Sequence, residues 1–448
     1  MDSYLQRFDQ TPEAERWPLV RGWIAENPLP FYKELREQRP VLVMPELVLA
    51  ARFSDCDEIL RRYDLFTAAL LKPKEGSYFM AQDDTAVHWR EKSIMKSILD
   101  FEELPSIRHY VGTKTAAILA AAGGKIDAVD GLSRAVPVGL VQDKFGFTHS
   151  DPQRLRDWSY WNQMDAFWNQ AFSGAADPQR IVRERELANV ELGAYMVALI
   201  GRRVLELEAR EHWDESIVGR VTGLFSKGVQ DARELIHRME GKPLPSTDGN
   251  DPVSRLLMLS FSKALIFNME RVIINAGGLL IGTVETTSHA VVNALSYLLQ
   301  NPDLLEQARA AAVSGDLATL DGHVFEALRF RPAFTYFIRL CDKDTVLARA
   351  TEFETPVAAG RTVLALSASA MFDETAFGHP DQFDPKRDLR SMFHFGMGLH
   401  ECLGSAIGAV MIPEIVRQVL LLQDLQVSPI DFQGGPVPQS WQWHWKAA

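Results

Sequence analysis

The sequence predicts a mainly helical protein with small β-sheets, an α+β chain. Three observations carry this. From Asp84 to Leu265 apolar residues recur at helical spacing almost without interruption. Strand signals, short runs rich in Val, Leu, Thr and aromatic residues, fall only near the two ends. No stretch alternates strand with helix in the way that builds a doubly wound sheet or a barrel.

Composition sets the outer limits. The chain has 448 residues, 46% hydrophobic and 24% charged, which excludes a disordered chain, a collagen-like fibre and a disulfide-stapled mini-domain. A chain this long buries enough surface to enclose a large ligand. Length alone suggests about three domains. The net charge of −12 argues against binding nucleic-acid phosphates. Three widely spaced cysteines, Cys56, Cys341 and Cys402, fit a reducing compartment. The N-terminus carries acids early and lacks the apolar core of a signal peptide, so a cytoplasmic protein is expected.

The elements follow in chain order. Asn27 to Arg39 reads as a helix opened by Pro28 and closed before Pro40. Val41 to Phe53 reads as a hairpin turning at Pro45-Glu46. Helices are predicted over 84–99, 105–122, 129–146, 151–172 and 179–210, with breaks at Pro105, Gly123-Gly124 and Asp151-Pro152. EGKPLPSTDGNDP, Glu240 to Pro252, is the strongest loop signal. Val272 to Leu299 is the most apolar segment. Asn275, Thr283, Glu285, Thr286 and His289 interrupt it, so it reads as a buried core helix and not a membrane span. Strands are predicted near 334–340, 345–352 and 361–367, and a helix from Ser405 to Leu422.

The stretch FHFGMGLHECLGSA, Phe393 to Ala406, is where chemistry concentrates. Glycines 396 and 398 let the backbone turn tightly and approach a flat ligand. Cys402 precedes a helix, whose positive end favours a thiolate. A thiolate is a strong donor to iron and, as an axial ligand to heme, promotes O–O cleavage. Phe395 is placed to cover the sulfur. A zinc site from His394, His400 and Cys402 lacks a fourth ligand.

Phe395-Gly396-Met397-Gly398-Leu399-His400-Glu401-Cys402-Leu403-Gly404 resembles F-G-x-G-x-H-x-C-x-G, the heme-binding signature of the cytochrome P450 superfamily. Ten positions with this many constraints are specific, and the resemblance runs from about residue 25 to the C-terminus. It implies one domain, 1–448, with heme b (iron protoporphyrin IX) between a long central helix and the Cys loop with the helix that follows it. The segment from about 205 to 262 looks like an insertion.

Further motifs occur in the family's order. Glu326-Ala327-Leu328-Arg329 resembles E-x-x-R, whose spacing lets Glu326 and Arg329 pair on one helix face and, in the family, brace the heme pocket. The family joins this pair to an Arg in P-x-R-F; here the segment is Pro380-Asp381-Gln382-Phe383, with Gln382 at that position. Gly282-Thr283-Val284-Glu285-Thr286-Thr287 is similar to the family's [A/G]-G-x-[D/E]-T-[T/S], with Thr283 for the second Gly. The resemblance makes Glu285 and Thr286 the catalytic pair that passes protons during O₂ activation. It makes Cys402 the iron ligand and His88, Lys92 (where Arg is usual), Arg339 and His400 the heme-propionate donors.

What the family implies for function is a monooxygenase inserting one atom of O₂ into a hydrophobic substrate. Family analogy lines the pocket with Phe79, Met80, Phe167, Phe172, Gly282, Phe334, Phe337 and Trp441. With Lys72 and Lys74 at the mouth, a medium or long-chain fatty acid is the leading expectation; terpenoids, aromatics and secondary metabolites are alternatives. No G-x-G-x-x-G follows a strand, so electrons come from separate proteins, expected to be a ferredoxin and its reductase, docking near Arg90, Lys92, Lys96 and Arg108. The protein is expected to be monomeric. A peroxide-driven enzyme of the same ligation, and a non-catalytic heme sensor, are the competing functions.

Overall fold

The computed structural model describes residues 3–208, 251–260 and 267–447. The expected insertion at about 205–262 and the loop at 240–252 lie largely outside the described residues. In chain order the helices are α1 (Tyr4–Gln10), α2 (Glu13–Glu26), α3 (Pro28–Gln38), α4 (Phe53–Arg61), α5 (Lys72–Glu75), α6 (Ala86–Ile98), α7 (Leu104–Ala122), α8 (Ala135–Asp143), α9 (Pro152–Gln163) and α10 (Pro178–Glu208). They continue as α11 (Pro252–Ser260), α12 (Met269–Leu299), α13 (Pro302–Ser314), α14 (Leu317–Phe330), α15 (Ser367–Ala370) and α16 (Ser405–Leu420). The chain divides into two compact units, Met1–Ser93 with His289–Gln423, and Ile94–Ser288 with Asp424–Ala448.

The first unit holds a five-stranded sheet. Strands β1 (Val41–Val43) and β2 (Val48–Ala50) form the predicted hairpin, paired Val41 with Ala50. The turn between them carries Pro45, which donates no hydrogen bond. β2 then runs parallel to β8 (Thr362–Ala365), β8 pairs antiparallel with β5 (Phe337–Cys341), and β5 with β3 (Phe66–Thr67). A two-stranded ladder, β6 (Thr345–Leu347) with β7 (Thr355–Val357), stands apart. Inward residues Val48, Ala50, Phe66, Cys341 and Val363 join Cys56, Ile59 and Phe393 in one apolar core. The Cys-bearing loop is therefore seated on packed side chains.

The second unit is mostly helical, with a sheet of β4 (Lys125–Asp127), β10 (Gln442–Lys446) and β9 (Gln423–Val427). Asp127 ties that sheet to the following turn, accepting from Val129 N–H at 3.0 Å, Ser440 Oγ at 2.6 Å and Trp441 N–H at 3.1 Å. Two predicted helices divide here. The segment 129–146 begins with a π-turn at Val129–Ser133 before α8, and 151–172 is α9 followed by a π-turn at Met164–Trp168. Asp151 caps α9 by accepting from Gln153 and Arg154 N–H. Among the described residues no helix is long and apolar enough to cross a membrane.

Candidate functional site

The Cys402 loop is a tight backbone construction in the first unit. Cys402 N–H donates to the Phe395 carbonyl at 2.8 Å and closes the turn, and a short 3-10 segment runs Gly398–His400. Gly398 has φ +72°, and a Cβ there would lie 2.5 Å from the Leu60 carbonyl oxygen, so only glycine lets α4 approach. Phe395 does not stand free over the loop. Its ring packs on α16, where a Cβ on Gly408 would meet it at 2.9 Å, and lies 5.9 Å from Phe325. Lys92 donates its ammonium to the Leu399 carbonyl within the loop.

Cys402 keeps exposed surface although its sulfur is deep in the protein. Burial pushes the thiol above its ordinary value; the Gly404 N–H and the Lys92 charge pull the other way and do not win. The expected bias toward thiolate is therefore not supplied by the helix end, since Cys402 stands three residues before Ser405. A coordinated metal cation deprotonates a thiol outright.

Beside the loop lies a cluster of buried nitrogens. The His88 and His400 rings are 5.4 Å apart and nearly perpendicular. His88 Nδ1 is 2.8 Å from the Phe79 carbonyl, and His400 Nε2 is 3.1 Å from Asp83 Oδ1. Burial holds His400 down at about 4, with Asp83 opposing. Arg339 donates to the Ile338 carbonyl at 2.8 Å, and burial draws it down to about 10. Among the described residues His88 Nε2, His400 Nδ1 and Arg339 Nε have no partner.

Buried polar atoms are nearly always satisfied, and Arg339 Nε can only donate. Three uncommitted nitrogens in one neighbourhood match the carboxylates of a flat dianionic cofactor, so these residues fit heme. The zinc alternative has no support: His394 Nε2 lies 3.1 Å from the Met392 sulfur, and His400 is held by Asp83.

The pair predicted from E-x-x-R is wholly buried. Arg329 donates to Glu326 at 2.9 and 2.7 Å and to the Met371 carbonyl at 3.1 Å, with its plane over Phe330 and Phe372. The third member is Arg387, whose Nε reaches Glu326 Oε1 at 3.2 Å. Gln382 contributes only its backbone carbonyl, accepting from Arg329 and Arg387 at 3.2 Å each. Sequence reading missed Arg387, although the adjacent Lys386-Arg387 charges were visible.

In the second unit α12 presents Glu285 and Thr286. Thr286 Oγ1 donates to the Gly282 carbonyl at 2.7 Å, and Gly282 itself is exposed midway along a buried helix. Glu285 Oε2 accepts from Arg134 Nε at 3.1 Å and from its terminal nitrogen at 3.0 Å. Glu285 Oε1 lies as near to Nε, at 3.0 Å, but both N–H groups point at Oε2, so Oε1 carries no hydrogen bond. Burial pushes Glu285 up, and the Arg134 charge draws it part of the way back. Arg134 also reaches the half-exposed Asp130 at 2.9 Å and the Pro438 carbonyl at 3.3 Å. Arg134 was not anticipated; it lies 151 positions from Glu285, and no local spacing signals such a pair.

The expected pocket residues divide between the units. Phe79, Met80, Phe334 and Phe337 are in the first; Phe79 is fully buried, and the Phe337 ring is 3.6 Å from where a Gly396 Cβ would be. Phe167, Phe172, Gly282 and Trp441 are in the second. Phe167 and Phe172 follow α9, in and after its π-turn. Trp441 is buried just before β10, 5.0 Å from Trp443, with its indole N–H on the Ser428 carbonyl.

Comparison with known proteins agrees with this arrangement. The family model described as Cytochrome P450 matches residues 236–442. Cytochrome P450 monooxygenase PikC of Streptomyces venezuelae is 23% identical over 424 residues, covering 88% of this chain and 84% of that protein. Two solved structures share the fold. A mutant of P450 EryK in complex with erythromycin B has TM-score 0.71 at 21% identity, covering 96% of this chain and 98% of its own. P450BioI in complex with an acyl carrier protein bearing hexadec-9Z-enoic acid has TM-score 0.72 at 18% identity, covering 95% and 99%.

Proposed function

This chain belongs to the cytochrome P450 family, monooxygenases built on heme b, and from that premise we propose that Cys402 is its iron ligand and Glu285–Thr286 its proton-handling pair. When bound through a thiolate, heme supplies the activation of O₂, one oxygen atom entering the substrate and the other leaving as water. The observation that carries the reading is the cluster of uncommitted buried nitrogens on His88, Arg339 and His400 beside the Cys402 loop.

Each residue has a task set by its contacts. Arg339, His88 and His400 hold the propionates. Lys92 fixes the loop through the Leu399 carbonyl, so its charge steadies the Cys402 turn as well as the cofactor rim. Thr286 gives its hydroxyl hydrogen to Gly282 and so offers its oxygen as an acceptor to a water or another donor at that turn. Glu285 Oε1 is ion-paired with Arg134 but accepts no hydrogen bond, so it is the oxygen that can take or release a proton, while Arg134 also pairs with the half-exposed Asp130. The electrons come from a separate donor protein, which we take to be a ferredoxin with its reductase.

For the substrate we propose a medium or long-chain fatty acid hydroxylated on its chain, on the strength of the apolar pocket residues and the lysines of α5. The acyl chain carried in the P450BioI structure is consistent with that chemistry, whereas erythromycin B in the EryK structure favours a macrolide-like substrate as the second reading. The test is Thr286→Ala in the heme-loaded enzyme with its electron donors. Product per electron pair is expected to fall several-fold while peroxide rises and heme content stays unchanged. Full coupling in the variant, or robust turnover of the wild type on peroxide alone, would contradict the proton role.

A further inference from the structure

The carbonyl groups of α12 just before the acid–threonine pair carry unusual loads. Leu279 O accepts Thr283 Oγ1 at 2.6 Å, and Gly282 O accepts Thr286 Oγ1 at 2.7 Å, both from within the helix. Ile281 O is different, because its extra donors come from another helix. Gln163 Nε2 reaches it at 2.7 Å and Ser159 Oγ at 3.3 Å. Ser159 and Gln163 are four apart on α9 and share one face. Both are buried, at 0% and 3% exposure.

A carbonyl oxygen has two lone pairs. In a regular helix the Ile281 carbonyl would take the N–H of Glu285, four residues on. With an amide and a hydroxyl also donating, three donors compete for two lone pairs. α12 nevertheless stays continuous α-helix from Met269 to Leu299, so the Ile281 carbonyl is held from α9 in addition to its place in the helix. This falls on the turn that carries the acid and the threonine.

Gln163 gives a second, independent sign. Its amide must turn the NH₂ toward Ile281, which leaves Oε1 buried without a partner among the described residues. An unsatisfied buried oxygen costs stability, and a merely structural tie between helices would not need one. Gln163 is also the last α-helical residue before the π-turn Met164–Trp168, a type of irregularity often found at functional sites.

We propose that Gln163 and Ser159 are positioning residues for the reaction. Their grip on the Ile281 carbonyl anchors the turn of α12 that follows it and so sets where Glu285 and Thr286 present their side chains. The inference rests on the proton role proposed for that pair.

The test uses the heme-loaded enzyme with Gln163→Met, which keeps length and removes the donor, and Ser159→Ala. Two readouts are compared with thermal stability: product per electron pair, and the C–O stretching frequency of the CO complex. Gln163→Met is expected to lower coupling several-fold and shift the stretch, with Ser159→Ala moving both in the same direction by less. A lowered melting temperature with both readouts at wild-type values would make the contact a packing tie and overturn the proposal. If Gln163→Met fails to fold, Ser159→Ala decides by the same criteria. Thr286→Ala in parallel separates the failures. Coupling intact in Thr286→Ala overturns the proton role, while a shifted stretch in Gln163→Met still supports the clamp. Uncoupling in Thr286→Ala with both readouts unmoved in Gln163→Met overturns the clamp alone.

Discussion

Arg339 brings a positive charge to a place where, among the described residues, its hydrogen bond is to a neighbouring carbonyl, and burial draws its basicity down to about 10. A site with that demand takes an anion. Glu75 makes the converse case at the end of α5. Its surface is only half-covered, yet protein encloses its carboxyl deeply enough to push it up to about 7, with no cation opposing. A raised carboxyl is neutral below its own value and charged above it. On the substrate reading proposed above, a fatty-acid carboxylate beside Lys72 and Lys74 meets repulsion from Glu75 only at higher pH. Spin-state titrations should therefore show tighter fatty-acid binding at pH 6 than at pH 8, by up to roughly tenfold. Glu75→Gln should flatten that dependence. Equal pH dependence in variant and wild type would remove Glu75 from substrate binding. The motif residues Cys402, Glu326, Arg329, Glu285 and Thr286 were legible because each sits at a fixed local spacing. Glu75 and Arg134 were not, because the chemistry of each depends on surroundings far away in sequence.

At the scale of elements, α14 is held to the loop that follows the sheet by an ion cluster and not by packing alone. Glu326 Oε1 receives Arg329, Arg387 and the Asp384 N–H together. The missing arginine at 382 is thus replaced from five positions on, because Gln382 needs to offer only its carbonyl. Arg387→Ala should cost about 2 kcal/mol, the scale of a hydrogen bond to a charged group, since Arg329 still neutralises Glu326. Gln382→Ala should stay within about 0.5 kcal/mol. Urea midpoints measure both, and an equal loss in the two variants would contradict this division. The two π-turns lay beyond sequence reading for a related reason. Apolar spacing continues through them, and only tertiary contacts, such as Gln163 on Ile281, decide where regular helix stops.

On the scale of the whole molecule, the predicted class holds: helices dominate, most strands lie before or after the long helical run with β4 (Lys125–Asp127) as the exception, and the fold is that of known cytochromes P450. The local hairpin of β1 and β2 was readable from its turn, α3 and α7 from their prolines and the breaks that follow them, and α16 from its helical pattern. The parallel pairing of β2 with β8 joins Val48 to Val363, and no local pattern announces a partner that distant. The N-terminal helices α1 and α2 were also missed. Glu34 of α3 anchors α1, its carboxylate accepting from Ser3, Tyr4 and Leu5. Cys402 lies in one unit and Glu285 with Thr286 in the other. The most direct test of that account is the ferrous–CO difference spectrum of the purified protein and of Cys402→His. The wild type should show the red-shifted Soret band of thiolate-ligated heme, and the variant should lose it while still binding heme. A histidine-type band in the wild type, or a thiolate-type band surviving in Cys402→His, would contradict the assignment of Cys402.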